Sequence, residues 1–149
     1  MELVLDANIL GEVCRGNKEA KKLLENVKEH NLKISKEILK EYKRLLTCKI
    51  PNAEMPIEGN GRFLKEWFTI VEKKWKKVKA DAEIPICIER LIQSRDFGKK
   101  DVVYVQVALK MNNGILIAQE YHFRTAQVCL DSADIKLLDI SAGLLELNK

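Results

Sequence analysis

The sequence predicts a three-layer α/β domain with a small, mainly parallel sheet of four or five strands. Short, mostly apolar runs recur at 2–5, 32–34, 115–117 and 135–138. Continuous apolarity marks strands buried on both faces, as in parallel sheets. Amphipathic stretches separate these runs, and such alternation is the signature of α/β architecture. The chain has 149 residues, 46% hydrophobic and 32% charged, which suits one globular domain, 1–149, with a substantial core.

The order of elements follows from periodicity and caps. After the first strand, 17–30 reads as a helix: Ala20, Leu23, Leu24 and Val27 recur at three and four, with Asn17 as N-cap. Strand 32–34 leads to Ser35, which caps a helix carrying Ile38, Leu39, Tyr42, Leu45 and Leu46 on one face. Segment 47–61 holds Pro51, Pro56, Gly59 and Gly61 and reads as a loop. Segment 62–79 reads as a helix striped by Phe63, Trp67, Ile70, Val71, Trp75 and Val78. Pro85 starts a helix to Gln93.

Segment 101–117 is ambiguous. Val103, Val105, Val107 and Leu109 alternate like a strand, with Asn113-Gly114 as a hairpin turn. Val102, Val105, Ala108 and Leu109 also fit a helix face, with Asp101 at its start. Beyond the runs 115–117 and 135–138, Ser141 is expected to cap a terminal helix through Leu147.

Composition narrows the functional classes. No stretch has the length of a membrane span, and the acidic Glu2 with its short apolar run does not read as a signal peptide. The expected location is therefore cytoplasmic. Cys14, Cys48, Cys87 and Cys129 form no CxxC and have no nearby His pairs, which argues against zinc-ribbon and thioredoxin chemistry. Free, mostly buried, reduced thiols are expected. The net charge of +4 is a mild bias toward polyanions. Lys outnumbers Arg 20 to 6 and Glu outnumbers Asp 15 to 7, a balance that fits a heat-adapted source.

Carboxylates at strand ends are the chemical signal. An ionised Asp beside a core is unfavourable unless something pairs with it. Asp6 directly follows the first apolar run, and ligands of open α/β sheets bind at the carboxyl ends of strands. Glu120 follows 115–117 after two intervening residues. Glu41 borders the buried face of its helix, between Ile38 and Leu45, with Glu37 pointing further toward solvent. Asp101 and Asp96 compete for the start of the helix that leads into the third apolar run.

In this order and spacing, VLDANIL, ISKEILKEYKRLL, DVVYVQVAL and ILIAQEYHF resemble the PIN-domain nucleases. The resemblance spans nearly the whole chain, and its short motifs select Glu41 over Glu37, Asp101 over Asp96, and helix over hairpin after Asp101. It implies a PIN-like α/β/α fold and Mg²⁺- or Mn²⁺-dependent hydrolysis of RNA. Asp6 and Asp101 would be the principal metal ligands, and Glu41 and Glu120 would bind a second metal or orient water. Asn8 would orient a ligand or water. Clustered carboxylates need such a counterion, and hard divalent cations prefer oxygen. His30 and His122 are the only histidines, so zinc fits poorly, and His122 is read as a loop residue near the site.

The resemblance also implies a toxin held inactive by a small antitoxin, usually in dimers, with an RNA-processing nuclease as a variant. Two departures stand in ILIAQEYHF: Ala118 where the family has Thr or Ser, and Glu120 where it has Asp. They favour an alternative in which the domain binds RNA or protein without cutting. The basic stretch 62–79 has two readings: a solvated lysine face over an apolar stripe, or a phosphate grip with stacking tryptophans. A phosphotransfer receiver domain would need a Lys after a late strand, and Lys136 is poorly placed for that.

Overall fold

The computed structural model describes residues 1–49 and 59–149, without the side chains of residues 120 and 122. Strand β1 (Glu2–Leu5) is followed by α1 (Asn8–Cys14), α2 (Lys18–Val27) and β2 (Asn31–Ile34). Next come α3 (Lys36–Leu45), α4 (Asn60–Glu72), β3 (Lys76–Lys77) and α5 (Ile86–Gln93). A 3-10 turn (Lys99–Asp101) runs into α6 (Val102–Leu109), then β4 (Ile115–Ile117) and α7 (Glu120–Phe123). A second 3-10 turn (Arg124–Ala126), α8 (Gln127–Ser132), β5 (Lys136–Leu138) and α9 (Ile140–Leu147) complete the chain.

The sheet has the order β3-β2-β1-β4-β5, with every neighbouring pair parallel. Leu3, Val4 and Leu5 alternate in direction along the central strand, yet none has exposed surface. Both faces of the sheet are therefore covered by helices, as the apolar runs predict. The chain winds outward from β1 to β3 and then returns to β1's other side at β4. That reversal opens a crevice at the carboxyl ends of β1 and β4, the place where such sheets bind ligands.

Local signals set several elements. The Asn17 side chain accepts from Ala20 N and the Ser35 hydroxyl from Ile38 N, so both expected caps are in place. The segment after Asp101 is a helix. Tyr104, Val105, Val107 and Ala108 are all buried, and a helix apolar all round is one enclosed by its neighbours. Trp67 anchors α4 by donating from Nε1 to the Leu24 carbonyl at 2.8 Å, and its ring meets Tyr42 edge-on.

Other elements differ from the expectation. The predicted helix 62–79 stops at Glu72, and Lys76–Lys77 pairs with β2 as an edge strand. The amides of Lys74 and Trp75 turn back onto the Val71 carbonyl, and Val78 N bonds to Ile34 O, so sheet pairing wins over the helical stripe. The predicted loop 47–61 ends sooner, because α4 starts at Asn60 after Gly59, which has φ +90°. Gly61 sits inside α4, where a Cβ would lie 3.5 Å from the Leu46 and Thr47 carbonyl oxygens. Pro51 and Pro56 lie outside the described residues. Pro85 is the N-cap of α5, one position before its first helical residue.

The cap of α9 is Asp139, which accepts from Ala142 N at 2.8 Å. Ser141, expected there, lies within the helix and donates to Glu19. The cysteines are not free thiols. Cys14 joins Cys48 and Cys87 joins Cys129, with Cα–Cα separations of 5.2 and 5.6 Å that suit disulfides. Sequence separations of 34 and 42 gave no local sign of either pairing. Among the described residues, no helix is long and apolar enough to cross a membrane.

Gly114 makes the tight passage from α6 to β4. A Cβ there would lie 2.6 Å from the Ala108 carbonyl oxygen, which is backbone and cannot swing aside. Gly114→Ala is therefore expected to lower stability by about 1–3 kcal/mol, as overpacking does, measured by thermal melting. An unchanged melting temperature would contradict that close approach.

Candidate active site

Asp6 stands where the sheet ladder ends: its amide still bonds to Ile117 O at 2.9 Å. The residue is only 1% exposed. Its Oδ1 accepts from Asn8 N at 3.3 Å, while Oδ2 is buried without a hydrogen-bond partner among the described residues. Burial pushes the carboxyl pKa up to about 7; hydrogen bonds from Asn8 oppose this, and the charges of Asp101 and Glu41 add to it. Asn8 thus serves first to hold Asp6, through its backbone and side chain.

Glu41 is placed by the residues around it. Tyr42, fully buried, donates its hydroxyl to the Leu5 carbonyl at 2.5 Å and pins α3 to the end of β1. The Tyr104 hydroxyl, from α6, accepts from Ala7 N at 3.2 Å and donates to Glu41 Oε2 at 2.5 Å. One phenol therefore ties together the turn after Asp6, α3 and α6. Burial and then the charge of Asp6 raise the Tyr104 pKa, and the charge of Glu41 adds to them, so the hydroxyl stays protonated as a donor.

Asp101 is 9% exposed and ends the turn before α6, and its carboxylate does not cap that helix. Asp96 is exposed, and its carboxylate accepts from the Ser94 hydroxyl at 2.7 Å. Glu37 is exposed as well. Glu120 opens α7 just beyond β4, and His122, expected in a loop, also falls in that helix. Both side chains lie outside the described residues. Ala118 is fully buried at the end of β4, its amide bonded to Leu138 O.

The donors here are oxygens, which suits Mg²⁺ or Mn²⁺. The orphaned Oδ2 of Asp6 is the observation that fits a cation. Among the described residues, no three of His, Cys, Asp and Glu come together closely enough to hold a metal. Mg²⁺ commonly binds through one or two carboxylates and keeps its waters, so Asp6 with Asp101 is a sufficient protein set. A cleft of about 750 Å³ lies at the amino ends of β1, β4 and β5, beside Glu2, Ile115 and Lys136, at the opposite end of the strands from Asp6.

Sequence reasoning singled out the acids but not the two tyrosines that place them. The signal was present: a tyrosine on an apolar stripe must find a partner for its hydroxyl once buried. Tyr104→Phe leaves Ala7 N without its acceptor and Glu41 without its donor. The expected loss is about 1–3 kcal/mol in chemical denaturation, the range for a buried group left unsatisfied. Stability equal to that of the unmodified protein would mean the phenol is not the tie described here.

A solved structure shares this fold. The crystal structure of VapBC2 from Rickettsia felis bound to a DNA fragment from their promoter contains a chain similar to this one at TM-score 0.53 and 15% identity. The likeness covers 93% of this chain and 98% of that one. The fold is PIN-like α/β/α. No protein-family model and no curated protein matches the sequence. On the PIN-like sheet, Asp6 and the backbone of Glu120 follow adjacent strands, β1 and β4. Glu41 reaches the same crevice through Tyr104, and Asp101 lies close enough to raise the Asp6 pKa.

Proposed function

We propose that the protein is a metal-dependent endoribonuclease, the toxin of a toxin–antitoxin pair or an RNA-processing nuclease. The observation that carries this reading is the buried Oδ2 of Asp6 at the sheet's reversal point, without a hydrogen-bond partner among the described residues and with the charges of Asp101 and Glu41 near it. Asp6 and Asp101 would hold Mg²⁺ or Mn²⁺, with Glu41 and Glu120 completing the acidic set. The cation would supply Lewis-acid stabilisation of charge on a phosphodiester and a more acidic water. The chain's own part is to keep the carboxylates in place: Asn8 holds Asp6, and Tyr104 holds Glu41.

The test is RNA cleavage in Mn²⁺ or Mg²⁺ with a chelator control. Asp6→Asn and Asp101→Asn, made singly, are each expected to lower the rate by about 100-fold or more, since each removes a ligand. Cleavage that survives both changes overturns the proposal. The neighbouring structure is VapBC2 on promoter DNA. By that likeness, and by the family resemblance, this chain is assigned a small antitoxin partner and a homodimeric state. A small reading frame directly upstream, whose product relieves toxicity and co-purifies with the chain, is the expected result. A monomer with no such neighbour counts against the toxin form.

A second reading, a PIN-like module that binds without cutting, has its own support. No three described ligands converge, and Ala118 and Glu120 depart from the family's pattern. Mn²⁺ binding without RNA turnover would select it.

A further inference from the structure

Two clefts meet at Glu41. One, about 300 Å³, is lined by Asn8, Arg15, Glu41, Arg44 and Lys49 among others. The second, about 360 Å³, is lined by Glu37, Glu41, Lys99, Lys100 and Gln106 among others. Five cations thus flank one carboxylate, three on one side and two on the other. Arg44, Lys49, Lys99 and Lys100 are exposed and enter none of the ion pairs found among the described residues. Among the described residues Arg15 pairs with Glu12 alone, at 3.3 Å and half-exposed, a surface contact easily exchanged for a phosphate.

The first cleft is built rather than incidental. The Cys14–Cys48 bridge joins the residues that directly precede Arg15 and Lys49. The bridge fixes the two walls against each other and places their cations before any ligand arrives, which lowers the ordering cost of binding. The lysine-rich segment 62–79 has no comparable geometry. Trp67 is fully buried and donates to Leu24 O, Trp75 packs edge-on against Phe68 at 5.1 Å, and Arg62 pairs with Glu66. Neither indole is placed as a stacking platform, and that stretch is the solvated face of α4 and β3.

We infer that single-stranded RNA crosses the acidic centre from the Arg15–Arg44–Lys49 cleft to the Lys99–Lys100 cleft, so that the strand passes through the site and does not end in it. This rests on the ribonuclease reading and adds the substrate track to it. Cations on both sides hold the phosphates flanking the acidic centre, whereas a site for strand ends needs only one such side. No aromatic side chain lines either cleft among the described residues. Recognition is therefore through phosphates, tolerant of sequence and steeply dependent on salt.

The test is anisotropy of a labelled single-stranded RNA of about 20 nucleotides, in chelator, between about 50 and 200 mM salt. Two double variants remove one side each: Arg44→Ala with Lys49→Ala, and Lys99→Ala with Lys100→Ala. Each is expected to weaken binding about tenfold and to reduce the slope of log affinity against log salt by about 1.4, near 0.7 per lost contact. Lys65→Ala with Lys73→Ala, on the α4 face, is the control and is expected to change neither. A circular RNA of the same sequence is expected to bind as tightly as the linear one. The inference is overturned if the control pair weakens binding as much as the cleft pairs, or if circular RNA is excluded. Binding is read without cleavage, so the two readings fail separately. Cleft-dependent binding with no hydrolysis in metal overturns only the nuclease; hydrolysis unaffected by the cleft variants overturns only the track.

Discussion

Asp6→Asn is expected to silence RNA cleavage and, in the same protein, to raise the melting temperature of the metal-free form. The two effects have one cause. A carboxylate that is 1% exposed, with one oxygen unpartnered, is unfavourable when ionised. Asn keeps an oxygen to accept from Asn8 N and carries no charge to bury. What destabilises the fold in the absence of a cation is, on the proposed function, what binds the cation.

The pH dependence has a definite sign. The folded Asp6 pKa, about 7, lies above that of an unfolded Asp, near 3.9. The folded state therefore binds the proton more tightly. Asp6's contribution is fully present below about pH 4, is lost as pH rises toward 7, and is flat above that. The stabilisation by Asp6→Asn should be absent at pH 4 and reach its plateau by pH 8. At about 1.4 kcal/mol per pKa unit, the plateau is on the order of 4 kcal/mol. For a chain of this size that is about 8–16 °C in melting temperature. Mn²⁺ should raise the melting temperature of the unmodified protein and leave the Asn variant's unchanged. A variant that melts at or below the parent temperature at pH 8 would show that Oδ2 has a partner after all.

What could be read from the sequence follows the range over which each signal acts. Asn17 and Ser35 were legible because a cap bonds an amide three residues on. The strands β1 and β4 were legible because double-sided burial leaves a continuous apolar run, and β2 and β5 because short, mostly apolar runs mark them despite Lys33 and Lys136. Strand β3 was not: Lys76 and Lys77 are exposed, and only backbone pairing with Lys33 and Ile34 makes them a strand. Helix α6 was ambiguous because its valines suit either element, and only its all-round burial decides. At the site, Asp6 followed from the strand-end rule. Glu41 did not follow from its stripe alone, since its placement depends on Tyr104, which is distant in sequence by 63 residues. Both disulfides were misread for the same reason of distance.

Reduction of the two bridges is expected to be the largest loss of stability open to this chain. Cys14–Cys48 closes a loop of 34 residues and Cys87–Cys129 one of 42. Loop-closure entropy assigns each bridge about 3–4 kcal/mol, so reductant should lower the melting temperature by about 6–16 °C per bridge. The second bridge matters locally as well. Helix α5 buries only Ile88 among its own residues, so its staple to α8 is a principal hold. Cys87→Ser with Cys129→Ser should therefore make the α5 amides exchange with solvent faster while α2 and α4, which carry deep core residues, keep their protection. Cys14→Ser with Cys48→Ser should act elsewhere, weakening RNA binding by freeing Arg15 and Lys49, with a smaller effect on α5. Mass spectrometry of alkylated protein before reduction provides the prior check. Four reactive thiols, with melting indifferent to reductant, would restore the free cysteines that the spacing suggested.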